Sequence, residues 1–380
     1  MKLTLSSILL LVLPAMLFAQ QTKSTDEQLL EYYQTQRFDD ALKYLKITYP
    51  EPVTDLKILS SMAYTAQMAG MLPDAENYYN RIYNLNSANY HVLFNLGNLS
   101  LRKGNDQKAK GYFLKFLQKD STNFIVYKDM AQVSVDEGDN KSIIMYLAKA
   151  NKLQPTDADV AGELSGFYYE DKKFMEAENV LDIAIDADPE NIYLLQSMVK
   201  FKYAEFKFDK VIFYGEKLFQ LGDNSAFIRN KVGEAYYYSK KFDCGIETLS
   251  AIQPAYQNEN TFYFIAACYK GLNNQTRAIE YFNKAIEAGI SPNIDNYYTE
   301  IADSYTVLKK NKNALSAYQK ALQFNEKPMT FYFIANLYDS SLNNKKGALK
   351  YYKKYLSAKP PEKQKKYIEY AQSRVSALGH

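Results

Sequence analysis

Few residues in this sequence have the type and spacing that chemistry demands. Its 380 residues include two histidines, His91 and His380, and two cysteines, Cys244 and Cys268. Neither histidine falls in an H-E-x-x-H string, so the paired imidazoles and general-base glutamate of a zinc protease are missing. No G-x-x-x-x-G-K-[ST] phosphate loop occurs, nor a glycine-rich dinucleotide fingerprint after a strand. The one formal match is Ser100-Leu101-Arg102-Lys103, the S-x-x-K string of penicillin-recognising enzymes. Its companion K-T-G is absent and the string ends a helical stretch, so it reads as ordinary helix. Asp186, Asp188 and Glu190 gather around Pro189, but without the D-x-[DN]-x-[DN]-G spacing and later bidentate glutamate of a calcium loop. They read as a polar turn. Cys244 lies among polar and small residues and Cys268 in an apolar stretch. A bridge between them is possible only in narrow geometry, and isolated packing is the preferred reading. No catalytic, cofactor-binding or metal-binding residue is assigned.

The elements that would position any site are set by a repeat. Residues of small or modest size recur at Ala63, Gly97, Ala131, Ser165, Val199 and Gly233, each step being 34 residues. The series reaches back to Leu29 and forward through Ala266, Ala302 and Ala335. A second such residue follows 12 later in almost every unit, as at Ala41, Ala75, Ala109, Ile143, Ala177, Val211, Gly245, Ala278 and Ala314, and 13 later at Ala348. Four residues beyond it comes a larger apolar residue, such as Leu45, Phe113, Leu181 or Phe282; at Val211 that slot holds Gly215 instead. The apolar spacing around these anchors is helical. Polar turns such as Lys103-Gly104-Asn105 and Glu137-Gly138-Asp139 interrupt it. The pattern predicts antiparallel helix pairs whose small residues let backbones approach while large ones fill the grooves. A single pair cannot bury its apolar face, so the pairs must stack. Heptads are absent, which excludes a long coiled coil.

These residues resemble the tetratricopeptide repeat (TPR) family, whose 34-residue unit carries a Leu-Gly pair, then Tyr, Ala, an aromatic and Pro. The clearest matches are Leu96-Gly97, Ala109 and Phe113, and Leu164-Ser165, Tyr168, Ala177, Leu181, Ala184 and Pro189. The resemblance covers about residues 22–360 in ten units. It departs from the family in lacking the early Trp throughout, and the unit at 192–225 is the weakest. Another helical-pair solenoid remains the alternative. The resemblance implies an all-α, right-handed superhelical solenoid of about ten helix-turn-helix units over residues 20–360, with a capping helix and tail at 361–380. It also implies a concave groove, lined by the first helices, that holds an extended peptide or a partner helix. Helical geometry then selects the positions six and three before, and one and four after, each first small residue. The aromatic candidates are Phe94, Tyr169, Tyr193, Tyr203, Phe227, Tyr237, Tyr263 and Tyr332. The polar ones are Asn98, Lys128, Gln132, Gln196, Asn230, Asn260 and Asn336.

Composition narrows the rest. The chain has 47% hydrophobic and 23% charged residues, 35 Tyr, 21 Phe and a net charge of +3. Basic and acidic residues are interspersed, which disfavours nucleic-acid binding and a polybasic membrane anchor. Residues 1–19 read as a signal peptide: Lys2, an uncharged Leu-rich run from Leu3 to Phe18, and a cleavage site after Ala19. An uncleaved anchor is the alternative, though the run is short for a bilayer span. No Cys follows it, so no lipidated N-terminus is expected, and no later segment is apolar enough to cross a membrane. The expectation is a periplasmic or secreted scaffold that binds a protein segment and is not an enzyme. A glycan-binding module on the same Tyr and Asn surface is the first rival, and an accessory subunit of an envelope enzyme or secretion complex is the second.

Overall fold

The computed structural model describes residues 25–289 and 292–379. The expected signal peptide and His380 lie outside the described residues. Among the described residues there are 21 α-helices, two short 3-10 turns and no strand. The chain divides into two compact units, 1–153 and 154–380.

The first unit holds four helix pairs: α1 (Thr25–Gln34) with α2 (Phe38–Thr48), α3 (Leu56–Met68) with α4 (Leu72–Leu85), α5 (His91–Arg102) with α6 (Asp106–Leu117), and α7 (Phe124–Glu137) with α8 (Asn140–Leu153). The second holds six: α9 (Ala158–Glu170) with α10 (Phe174–Ala187), α11 (Ile192–Ala204) with α12 (Phe208–Gln220), α13 (Ala226–Tyr238) with α14 (Phe242–Ser250), α15 (Glu259–Gly271) with α16 (Gln275–Ala288), α17 (Ile294–Val307) with α18 (Asn311–Phe324), and α19 (Pro328–Ser340) with α20 (Lys345–Ser357). A last helix, α21 (Lys365–Leu378), follows without a partner of its own.

Local chemistry sets the boundaries. Asp55, Asn123, Asp157, Asn191 and Asn258 stand before α3, α7, α9, α11 and α15, where their side chains accept backbone N–H groups of the first turn. Such caps satisfy donors that the helix itself leaves orphaned. Between the helices of each pair the chain reverses through one residue of positive φ: Gln36, Gly70, Gly104, Gly138, Lys172, Phe206, Lys240, Asn273, Lys309 and Asn343. The backbone thus repeats in step with the sequence, even where glycine is absent.

The small residues do what the spacing demanded. A Cβ added at Gly97 would lie 2.3 Å from the Phe113 ring, and one at Gly233 would lie 2.4 Å from Leu249. In each case the glycine of a first helix receives the large residue 16 positions later on its partner. Ala63, Ala266, Ala302 and Ala335 in the equivalent slots are fully buried. Phe113 and Phe116 are sealed in the core of the first unit, and Phe282, Tyr352 and Tyr355 in that of the second. Each such side chain contributes about 1.5–3 kcal/mol by leaving water. The weak unit at 192–225 has a local explanation. Gly215 stands where a large residue is usual because Val232 of the next pair fills that space, its Cγ2 lying 2.1 Å from where a Cβ would be.

The tail closes the stack of the second unit. Ala371 of α21 is fully buried against Tyr352 and Tyr355, with Ile368, Val375 and Leu378 packed around it. Arg374 donates two hydrogen bonds to Asp339 of α19, at 2.7 and 2.8 Å. Ala371 lies 36 residues after Ala335, so α21 occupies the slot of an eleventh first helix with no second helix to follow.

Candidate functional site

Within the second unit, the first helices α13, α15, α17 and α19 present one continuous groove. Three cavities compose it. One of about 330 Å³ is lined by Asn260, Tyr263, Asn296, Thr299 and Glu300, among others. The next, of about 280 Å³, takes in Tyr237, Tyr263, Ala267, Lys270 and Glu300. The last, of about 400 Å³, runs from Lys270 and Asp303 through Thr306 and Asn336 to Ser340 and Ser341. Shared walls join them: Tyr263 and Glu300 line the first two, Lys270 the last two. Most of these residues stand six or three before, or one or four after, the buried small residue of their helix, offsets that share one helix face; Phe242, Phe282 and Tyr318 of the second helices complete the walls of the last two cavities.

Charge on the groove floor is partly paired within the protein. Lys270 bonds to Glu300 and lies 3.5 Å from Asp303. Burial alone would lower the Lys270 pKa, but the hydrogen bond to Glu300 and the nearby Asp303 outweigh it and hold the ammonium above its ordinary value. The Tyr318 hydroxyl donates to Asp303. Toward the start of the groove, Glu234 is 3% exposed and accepts hydrogen bonds from Tyr203 and from Asn260. It ties α11, α13 and α15 together. Burial raises its pKa, an effect that Tyr203, Lys231 and Asn260 only partly offset. Lys231 sits 3.7 Å over the Tyr203 ring, so charge, π-face and hydrogen bond act on one tyrosine. Burial pushes the Tyr263 hydroxyl up to about 12, keeping it a neutral donor.

The expected positions divide into two kinds. Tyr237, Tyr263, Asn260 and Asn336 line the cavities. Phe227 is exposed on α13, and Tyr193 lies half-exposed with its ring over Gly162. Others are engaged in packing or bonding between helices. Tyr169 stacks on Phe201 at 4.7 Å. Tyr203 is held by Glu234, and Gln196 donates to Asp223 at 2.7 Å. Asn230 accepts from Thr261 at 2.8 Å. Tyr332 is enclosed by Tyr352, Tyr355, Tyr367 and Tyr370, so it anchors the last helix instead of facing an open groove. In the first unit, Phe94 packs on Phe113 and Phe116, Gln132 donates to Asp136, and Asn98 and Lys128 are half-buried. The same offset rule also gives Glu234, Lys270, Thr299, Asp303 and Thr306, which a search for aromatic and amide groups passed over, and Asn296, an amide that the search should have included. Glu300 breaks the rule, lying two before Ala302, and only its pairing with Lys270 identifies it.

The groups singled out for reactivity have ordinary surroundings. Ser100 is buried and donates to the Leu96 carbonyl at 2.8 Å, while Lys103 pairs with Glu76. Cys244 is exposed and Cys268 buried, both as free thiols, and burial pushes the Cys268 thiol up to about 12. A thiol held protonated is a poor nucleophile. Asp186, Asp188 and Glu190 are exposed, and among the described residues no group of acidic, histidine or cysteine side chains is arranged to hold a metal. No described helix is long and apolar enough to cross a membrane.

The tetratricopeptide repeat family model matches residues 260–288, 295–328 and 330–362, the three helix pairs that form most of the groove. No curated protein matches the sequence. Among solved structures, a tetratricopeptide repeat protein from Parabacteroides merdae is similar, with 15% identity and a TM-score of 0.42 over 66% of this chain and 98% of that one. YrrB, described as a TPR protein with an unusual peptide-binding site, has 14% identity and a TM-score of 0.37 over 44% and 87%. A monomeric mutant of IFIT1 with Gppp-AAAA has 16% identity and a TM-score of 0.42 over 93% and 90%. At such identities and scores these likenesses carry nothing about ligands.

Proposed function

The chain carries tetratricopeptide repeats, and from that premise we propose that the first-helix groove of the second unit holds an extended polypeptide segment of a partner. The protein is on this reading a non-catalytic adaptor, and residues 1–19 direct it out of the cytoplasm, to the periplasm or beyond. The observation that carries the reading is the continuity of three cavities across α13, α15, α17 and α19. Their walls alternate Tyr237 and Tyr263 with Asn260, Asn296, Thr299, Thr306 and Asn336. Tyrosine offers flat contact area and a hydroxyl at low entropic cost. Amides and hydroxyls can pair with the N–H and C=O groups that an extended backbone leaves open.

The test is selection of peptides from a random twelve-residue library on the purified protein, followed by fluorescence anisotropy. Retained peptides are expected to bind roughly tenfold more weakly to Tyr263→Ala and to Asn336→Ala, a loss of about 1.4 kcal/mol. Failure to retain any peptide, or equal binding by both variants, contradicts the reading. Displacement of every retained peptide by an oligosaccharide alone puts a glycan in the groove instead. The export proposal has its own check. The N-terminus of protein recovered from producing cells is expected at Gln20, and retention of Met1 overturns it.

A further inference from the structure

Two adjacent turns give one mouth of the groove an unbalanced positive charge. The cavity that ends the groove is closed by Thr306 and Val307 at the end of α17 and by Ser340 and Ser341 at the end of α19. The turns into α18 and α20 therefore leave from the same side. Lys309 and Lys310 lie in the first of these turns, and Lys312, Lys345 and Lys346 in the opening residues of α18 and α20, all exposed. Lys309 and Asn343 hold the two reversals with φ of 56° and 49°. Among the described residues none of the five lysines makes an ion pair. The acids beside the rim have cations against them: Glu300 and Asp303 share Lys270, and Asp339 holds Arg374. Unpaired like charges on neighbouring helix ends repel one another, and an anion laid between them relieves that repulsion.

We propose that the segment held in this groove is acidic, its carboxylates lying on the Lys309–Lys312 and Lys345–Lys346 rim while its backbone engages Thr306, Asn336, Ser340 and Ser341. The proposal rests on the groove reading above and names the chemistry of its ligand. A polypeptide fits better than the other anionic macromolecules. Residues 308–312 and 341–346 contain no aromatic residue, so the rim has no ring to stack on a nucleic-acid base or to insert into a lipid surface. The hydroxyls and the amide beside the rim match the hydrogen-bonding needs of a peptide backbone.

The experiment uses the full mature chain and three fluorescein-labelled twelve-residue peptides that differ only at alternate positions, bearing Glu, Gln or Lys. Binding is read by anisotropy at low and at physiological salt. The Glu peptide is expected to bind at least about tenfold tighter than the Gln peptide, and to weaken as salt screens the rim. The double variant Lys309→Glu, Lys345→Glu should abolish the preference. A control pair of exposed lysines in the first unit, Lys119→Glu with Lys141→Glu, should leave it intact. Equal affinity for the Glu and Gln peptides, or an unchanged preference in the rim variant, overturns the inference and leaves the groove reading standing. Rim-dependent binding of duplex DNA or anionic vesicles without any response to the Glu peptide also overturns it. If none of the three peptides binds and the random library yields none, the groove reading fails as well.

Discussion

Asp129 sits half-buried on α7 with one carboxylate oxygen, Oδ2, that has no hydrogen-bond partner. Burial pushes its pKa up to about 6, with Lys128 pulling only weakly the other way. The folded state therefore holds this proton more tightly than the unfolded chain does. Between the ordinary carboxylate range and about pH 6, stability falls as pH rises, because the native state must give up a proton that the unfolded state has already lost. Asp129→Asn should raise the melting temperature at pH 7.5, by roughly 1–3 kcal/mol of stability, and change it little at pH 4. Thermal denaturation at both pH values checks this; an equal effect at both points to packing instead. Phe206 offers a second test. It takes φ of 59° in a turn and is 75% exposed, so it pays left-handed strain without burying its ring. Phe206→Gly should stabilise by about 0.5–1 kcal/mol in urea titration, the relief of strain exceeding glycine's entropic cost. At this scale the sequence was only partly legible. Glu300 and the buried Glu234 interact with residues about 30 positions away, so their neighbourhood reveals nothing of their partners. The aromatic candidates Tyr169 and Tyr332 sit at the right offsets, but their rings are spent on neighbouring helices.

Helices and turns were far more legible, because the contacts that shape them recur. The pairing of Gly97 with Phe113 and of Gly233 with Leu249 repeats one spacing, and a spacing seen many times in a sequence reports one packing arrangement. Gly97→Val should therefore cost about 1–3 kcal/mol in chemical denaturation, since the Phe113 ring fills the space and has nowhere to go. A cost below about 0.5 kcal/mol would show that the two helices can separate freely. Gly215 could not be read in advance, as the side chain that occupies its space, Val232, belongs to the following pair. The last helix was legible as amphipathic and terminal. That it stands in a first-helix slot, with Arg374 on Asp339, required the coordinates. Removing residues 365–380 uncovers Tyr332, Tyr352 and Tyr355, and the truncated protein is expected to melt lower and to bind a hydrophobic dye.

Over the whole chain, the physics of stacking explains the presence of a groove. Second helices and small residues carry the cohesion of each unit, so the opposite face of the first helices is free to hold something else. In the second unit that face is lined with tyrosines, amides and partly paired charges, and is rimmed by five lysines without ion pairs. Partner identity leaves no trace in helix packing, which is why the repeat pattern is silent about it. The most direct test of the groove is photo-crosslinking with a benzophenone placed on a peptide selected for binding, followed by mass spectrometry of the adducts. The account predicts adducts on α13, α15, α17 and α19, within residues 226–341 and centred on the cavity walls around Tyr263, Asp303 and Asn336. Adducts confined to the second helices, or to the first unit, would contradict it.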